Sequence, residues 1–299
     1  AEAVAYEFNT SFTPEPGELW QGEIERKRWR CETVAGVYQA VLQDVDATRG
    51  DDFAENVESA PMSSNRRFLT VYGDYDGADI HSDWTIRMDT SITDGLGSYS
   101  GTVETGNDAG TAGFAGARPE AMGMGTMLPE CSNQDLDALN NIDCANKVMY
   151  WLLGGDNGGD RPVRKTMLGA IYHSTPVVVD APRAFVRDEA YDFFAANNST
   201  RPLMLYTATV DGQLHAFKVA RNDSADPSPV DNLANNELWS FIPPAVMPRL
   251  ISQYPGSQQI LLDGRPVVRD IPFERTVGQA AAAGTAGGAE FHTVLVAGG

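Results

Sequence analysis

Within residues 174–242 four apolar runs of strand length follow one another, each bounded by turn residues: Ser174-Thr-Pro-Val-Val-Val179, Leu203-Met-Leu-Tyr-Thr-Ala-Thr209, Gln213-Leu-His-Ala-Phe-Lys-Val219 and Glu237-Leu-Trp-Ser-Phe-Ile242. Each is too short for a stable helix and rich in β-branched and aromatic residues, which predicts strands. Asp211-Gly212 is a tight-turn dipeptide that joins the second run to the third, and the polar stretch 220–236 separates the third from the fourth. Residues 168–242 are therefore expected to form one four-stranded antiparallel unit, of the kind that makes a propeller blade. The 29 glycines and 17 prolines agree with many short elements and an all-β class.

The remaining text is less regular. Residues 1–38 read as strand, and the charged run Glu25-Arg-Lys-Arg-Trp-Arg30 is expected on the solvated face of an exposed or edge strand. Residues 44–58 look acidic and turn-rich, whereas Phe68-Leu-Thr-Val-Tyr72 and Asp83-Trp-Thr-Ile-Arg-Met88 look like strands. Residues 95–144 read as an insertion, because glycine crowds 95–129 without periodicity. A helix is predicted from Ala145, with Val148, Met149 and Leu152 on one face, Asp143 as N-cap and Gly154 as stop. A hairpin is predicted at Asp263-Gly264 within 260–268, and the Ala/Gly stretch 279–289 as a loop. The apolar run ending at Gly299 has no later segment to pair with, and Ala1 follows no basic or apolar leader, so the segment is expected to belong to a longer chain.

Charge and hydropathy exclude two partner classes. The net charge of −19 repels phosphate backbones, so no nucleic acid is expected. No run approaches the ~18 apolar residues of a membrane span. Three cysteines are too few for a disulfide scaffold; Cys131 and Cys144 flank an Asn/Asp-rich stretch that a bridge would staple, with two free buried thiols as the alternative and Cys31 left odd.

In the order Leu168-Gly-Ala-Ile-Tyr-His-Ser-Thr-Pro176, Asp211-Gly-Gln-Leu-His-Ala-Phe217, Glu237-Leu-Trp-Ser-Phe-Ile-Pro243, Leu262-Asp-Gly-Arg-Pro-Val-Val-Arg-Asp270 and Thr293-Val-Leu-Val-Ala-Gly-Gly299, the chain resembles the PilY/PilC family of type IV pilus biogenesis factors and tip adhesins. Trp20-Gln-Gly22 resembles the family's opening strand, and Gly50-Asp-Asp-Phe-Ala-Glu-Asn56 a segment of some members. Ala170 departs from the family's usual acidic residue, and Val210 from its usual Asn. The resemblance implies a quinoprotein-like β-propeller of which residues 1–299 would be the N-terminal portion. It also implies minor pilins as partners and a location at the pilus tip on the bacterial surface. Calcium is the cofactor it implies, with the family's calcium loop lying beyond Gly299.

Enzymatic chemistry finds no foothold in the sequence. HExxH, CxxC, Gly-Lys-Ser/Thr and Gly-x-Ser-x-Gly are missing, and His81, His173, His215 and His292 lack ligand spacing. His173 and His215 lie within strand motifs and are expected to be hydrogen-bonded structural residues. Asp74, Asp76 and Asp79, or Asp44 and Asp46 with Thr48, have oxygen-ligand spacing but no closing bidentate Glu, and Asp156 to Asp160 reads as a turn. Arg49-Gly50-Asp51 spells an integrin-type tripeptide, which the surrounding similarity makes structural. Two alternatives stand beside a non-enzymatic pilus-tip protein: a quinone-dependent dehydrogenase, which would need a vicinal disulfide that three separated cysteines cannot make, and a propeller-like binding module with another partner.

Overall fold

The structure, a computed structural model, describes residues 5–46, 50–59, 68–72, 85–89, 148, 151–152, 164, 166–220, 236–243, 245–254, 256–274 and 289–298. Its elements in chain order begin with β1 (Ala5–Thr13), β2 (Gln21–Val34), β3 (Val37–Gln43) and α1 (Phe53–Ser59), followed by β4 (Phe68–Tyr72) and β5 (Thr85–Asp89). Next come β6 (Val177–Val179), α2 (Glu189–Asn197), β7 (Leu203–Thr209), β8 (Gln213–Ala220) and β9 (Glu237–Phe241). A 3₁₀ helix over Met247–Gln253 precedes β10 (Val267–Glu274) and β11 (Ala289–Val296). The chain is mostly β-sheet, as expected; the described sheets do not close on one another into a ring.

The predicted four-stranded unit is present, with β9, β8, β7 and β6 side by side and antiparallel. Thr209 pairs with Gln213, so the connection is Val210-Asp211-Gly212, closed by a bond from Gly212 N to Thr209 O (3.0 Å). Gly212 sits at φ 97°, a conformation that disfavours a side chain. The first strand is shorter than predicted, because residues 174–176 stay outside the ladder. The sheet is also larger than one blade: β4 adds to the free edge of β9 in parallel, through Phe68 opposite Ser240 and Leu69 opposite Phe241, and β5 adds beyond it.

A second sheet is the meander β1-β2-β3. The expectation of an exposed or edge strand for the charged run is overturned here, since β2 is the central strand and Arg26 and Arg28 are buried. Side chains alternate along a strand, so Gly22, Ile24, Arg26 and Arg28 all face inward while Glu23 and Trp29 are exposed. Ile24 packs with Phe53, Val57, Leu168, Leu205, Phe217 and Val219 in the main apolar cluster.

Residues 44–58, read as turn-rich, contain α1 instead. Asp52 caps it by accepting from the Glu55 backbone N–H (3.0 Å), and burial of Phe53, Ala54 and Val57 in the main cluster stabilises it. The helix α2 was not foreseen. Asp188 caps it, accepting from Ala190 N (2.7 Å) and Tyr191 N (3.3 Å), and Tyr191 packs edge-on against Phe291 of β11. Of the helix predicted from Ala145, Val148, Trp151 and Leu152 are helical and buried; Asp143, Met149 and Gly154 lie outside the described residues.

The hairpin predicted at Asp263-Gly264 does not form. Leu261 donates from its backbone to Val210 O (2.8 Å), Leu261 and Leu262 are both buried, and the glycine has backbone of Gly298 where a Cβ would stand, so the segment crosses the structure instead of turning back. The partner of β10 is β11, with Val267 opposite Val296. The terminal apolar run is thus paired with a strand that precedes it. The predicted insertion 95–144 lies outside the described residues, as do the loop residues 279–288.

Candidate functional site

The residues that carry the resemblance meet where β7 turns into β8. The segment 168–171 runs between the two larger sheets. Gly22 N donates to Leu168 O (3.0 Å), Ala170 N to Trp20 O (3.1 Å) and Val210 N to Ala170 O (2.9 Å). Two glycines allow so close a passage: a Cβ on Gly22 would overlap the Gly169 carbonyl, and one on Gly169 would overlap the Asp211 carboxylate. Ala170, one departure from the family pattern, is fully buried and serves through its backbone. Trp20 stacks on Phe12 (5.6 Å between centroids), with Tyr172 edge-on to both.

Asp211 anchors a closed polar network. Its Oδ2 lies 2.6 Å from Arg164 Nη2 and accepts from Gln213 Nε2 (3.1 Å), while Oδ1 accepts from Thr209 Oγ1 (2.5 Å). Thr209 Oγ1 also lies 3.1 Å from His215 Nε2, and His215 Nδ1 is 2.6 Å from Glu237 Oε1. Ser240 donates to Gln213 Oε1 (2.6 Å), and Gln253 Nε2 donates to Asp211 O (3.0 Å). The chain of contacts ties the turn, β8, β9 and the 3₁₀ helix to Arg164. Burial would push the Asp211 carboxyl up, but Arg164, His215 and the Thr209 hydroxyl outweigh it and hold the group below the usual carboxylate range. Asp211, His215 and Glu237 expose at most 3% of their surface, so the network fixes strand register and offers no face to a substrate.

The second cluster lies between β2 and the start of α1. Asp51 Oδ1 accepts from Arg26 Nε (2.8 Å) and Arg28 Nη2 (3.0 Å), and Oδ2 accepts from the Asp46 backbone N–H (3.2 Å). Arg26 also donates to the Val219 carbonyl of β8. Burial pushes the Arg26 guanidinium down while Asp51 opposes that shift. Asp51 is 1% exposed, so the acid of the Arg49-Gly50-Asp51 tripeptide is committed inside the fold. Gly50 has φ 64° and presents its carbonyl to Asn56 Nδ2 (2.9 Å).

His215 is a buried, hydrogen-bonded histidine, as expected. His173 is bonded too, 2.7 Å from Asp263 Oδ2, but its side chain is 65% exposed and stands in no strand. His292 lies on β11, and His81 falls outside the described residues. Among the candidate calcium ligands, Asp46 is drawn into the Asp51 turn; Thr48, Asp74, Asp76, Asp79, Asp156 and Asp160 fall outside the described residues. Among the described residues no three His, Cys, Asp or Glu side chains converge as metal ligands. Cys31 is free and exposed on β2, and Cys131 and Cys144 fall outside the described residues.

Comparison with known proteins gives one partial similarity. The chain is 29% identical over 126 residues to a protein described as a type IV pilus biogenesis factor PilY1 homolog, from Xylella fastidiosa (strain Temecula1 / ATCC 700964). Over that stretch the chain is PilY1-like. The match covers 39% of this chain and 9% of the relative, so the chain spans only a small fraction of that protein's length. No family model matches, and no solved structure matches.

Sequence reasoning did not foresee Arg164 or Glu237 as partners within the Asp211 network, nor the pairing of Arg26 and Arg28 with Asp51. The arginines did leave a trace, because they share period-2 phase with Ile24, an apolar residue that can only face inward.

Proposed function

We propose that this chain is part of a non-enzymatic type IV pilus tip protein, which supports pilus assembly together with minor pilins and mediates surface adhesion and motility. The partial similarity to a PilY1 homolog carries this reading. What the structure adds in support is that the motif residues Asp211, His215 and Glu237 are buried in a network that ties strands together. In this reading the antiparallel unit β6–β9 is one blade of a quinoprotein-like propeller completed by further chain. The protein works on the cell surface without bound quinone, and calcium belongs to a loop outside this segment.

Deletion of the gene tests the assignment. Loss or sharp reduction of surface pili, pilus-dependent adhesion and twitching motility is expected; normal piliation and motility, with no related copy in the genome, would overturn it. Purified protein mixed with pyrroloquinoline quinone and calcium should neither bind the quinone, followed by its absorbance, nor reduce a dye acceptor.

A further inference from the structure

His215 stands where the polar network of the β7–β8 turn meets β9, and its two ring nitrogens face different partners. Nδ1 is 2.6 Å from Glu237 Oε1, and Nε2 is 3.1 Å from Thr209 Oγ1. The side chains of His215 and Glu237 have no exposed surface, so bulk solvent shares neither contact.

The available protons fix the state of the ring. A hydroxyl has one proton to give, and the Thr209 hydroxyl lies near Asp211 Oδ1 (2.5 Å), the Gln213 carbonyl (3.1 Å) and His215 Nε2. The Asp211 carboxylate takes that proton, because it is the closest of the three and carries charge. Asp211 has none of its own to offer: its carboxyl is held below the usual range, and its other oxygen is occupied by Arg164 and Gln213. Thr209 Oγ1 therefore meets Nε2 with a lone pair, and an N–H on Nε2 is what makes that contact a bond. Glu237 faces Nδ1 with a carboxylate oxygen, which asks for a second N–H. A proton on Glu237 instead would sit on the weaker base of the pair.

The surroundings of the ring agree with two protons. Among the described residues, Glu237 on β9 and Asp211 in the turn are the acids that act on it, and Arg164, the cation of the network, is already bound to Asp211 Oδ2 (2.6 Å). The other neighbours are neutral. Thr207 and Ser240 stand opposite His215 in the two ladders, and Phe217 stacks on it at 5.7 Å.

We propose that His215 carries protons on both ring nitrogens at neutral pH, and that the second proton is a latch whose loss releases the β7–β8 turn. A ring with one proton keeps Nδ1–H on Glu237 and turns a lone pair toward Thr209 Oγ1. The single hydroxyl proton then serves either Nε2 or Asp211 Oδ1, and one buried contact of the network becomes a meeting of two lone pairs. The turn is also a joint for distant segments. Val210 N donates to Ala170 O, Leu261 N to Val210 O and Gln253 Nε2 to Asp211 O, while the Asp211 carboxylate lies against Gly169. Alkali thus loosens the place where the segment 168–171 is clamped. The bound proton stabilises the folded state, and that stabilisation is lost as pH rises.

The test uses the full-length protein labelled with heavy nitrogen at histidine alone. Magic-angle-spinning NMR follows the rings upward from about pH 7.5, where an ordinary histidine is mostly neutral. Thr209→Ser, which keeps the hydroxyl, shifts the His215 signals and so assigns them. At about pH 7.5 both His215 nitrogens should show the imidazolium shift and a directly bonded proton. Glu237→Gln, which still accepts at Nδ1 but bears no charge, should give up the second proton at a lower pH than wild type. As the wild-type ring becomes neutral, deuterium uptake across 207–217 should rise by about tenfold or more after correction for the intrinsic effect of pH, while uptake across α2 stays within about twofold. A neutral ring at about pH 7.5, or a Glu237→Gln ring that deprotonates together with the wild type, would overturn the placement of the proton. A ring that becomes neutral while uptake across 207–217 is unchanged would overturn the latch. Circular dichroism reports whether Glu237→Gln folds; if it does not, the wild-type spectra and uptake decide by themselves.

Discussion

Nη2 of Arg26 lies 2.8 Å from Oδ1 of Asp51, and neither side chain is more than 1% exposed. Asp51 also neutralises Arg28, so its removal leaves two buried guanidiniums without their shared acid. Asp51→Ala should lower the unfolding free energy by about 3–5 kcal/mol, measured by chemical denaturation. A soluble Arg-Gly-Asp peptide should not compete with the folded protein for surface attachment, because Asp51 is buried and bound to Arg26 and Arg28.

Gly169→Ala should cost about 1–3 kcal/mol, because the added methyl meets the Asp211 carboxylate, which Arg164, Thr209 and Gln213 hold in place. Gly17→Ala is a poor control because φ is positive there, whereas Gly298→Ala has open space and should be close to neutral. Thermal unfolding of the two variants side by side checks the difference.

Acid should weaken the protein through Asp211. Its folded-state carboxyl titrates below the ordinary value, about 3.9 for a free Asp, so the unfolded chain takes up the proton first. The stabilisation is therefore present above about pH 4 and fades as pH falls toward the folded-state value. Asp211→Asn should be less stable at neutral pH, because Arg164 loses its counter-charge, and its stability should depend less on pH over pH 2–4. Denaturation midpoints across that range decide the matter.

Non-reducing peptide mapping of protein purified without thiols should find Cys131 joined to Cys144 and Cys31 as the one alkylatable thiol. A bridge closing so short a loop contributes roughly 3 kcal/mol, so reduction should lower the denaturation midpoint. Alkylation of all three cysteines before reduction would overturn the pairing.

Ala35 stands at φ 50°, where a Cβ is disfavoured. Ala35→Gly or Ala35→Asn should stabilise the β2–β3 hairpin by up to about 1 kcal/mol. Amide hydrogen exchange across residues 29–42 should slow in the Asn variant.

The runs that became β7, β8 and β9 were legible because each is bounded by its own turn residues and pairs with its neighbour. Arg26 and Arg28 were legible only in part, because charges occupy both phases of the run 25–30; their phase with Ile24 hints at the inward face, but the acid that lets them be buried, Asp51, lies outside the run. Asp263-Gly264 has the composition of a turn, but Leu261 and Leu262 are both buried, and a docked segment beats a hairpin. The Asp211 network was half visible. Asp211 and His215 stand in a recognisable motif, whereas Arg164 reaches them from a stretch with no distinguishing pattern. The contact of β4 with β9 left no trace at all, since two residue pairs in parallel impose no periodicity on either strand.

That parallel contact sets an order of events. During synthesis β4 is complete long before β9 exists, and its edge must wait while more than half the chain is made. The hairpins β7–β8 and β8–β9 close over short separations and can form as soon as they emerge, whereas the β4–β9 pairing and the Gly22–Leu168 junction depend on distant sequence. The early half of this chain is thus the half most exposed to mispairing while it waits, and a nascent β4 is where a holding chaperone would matter most.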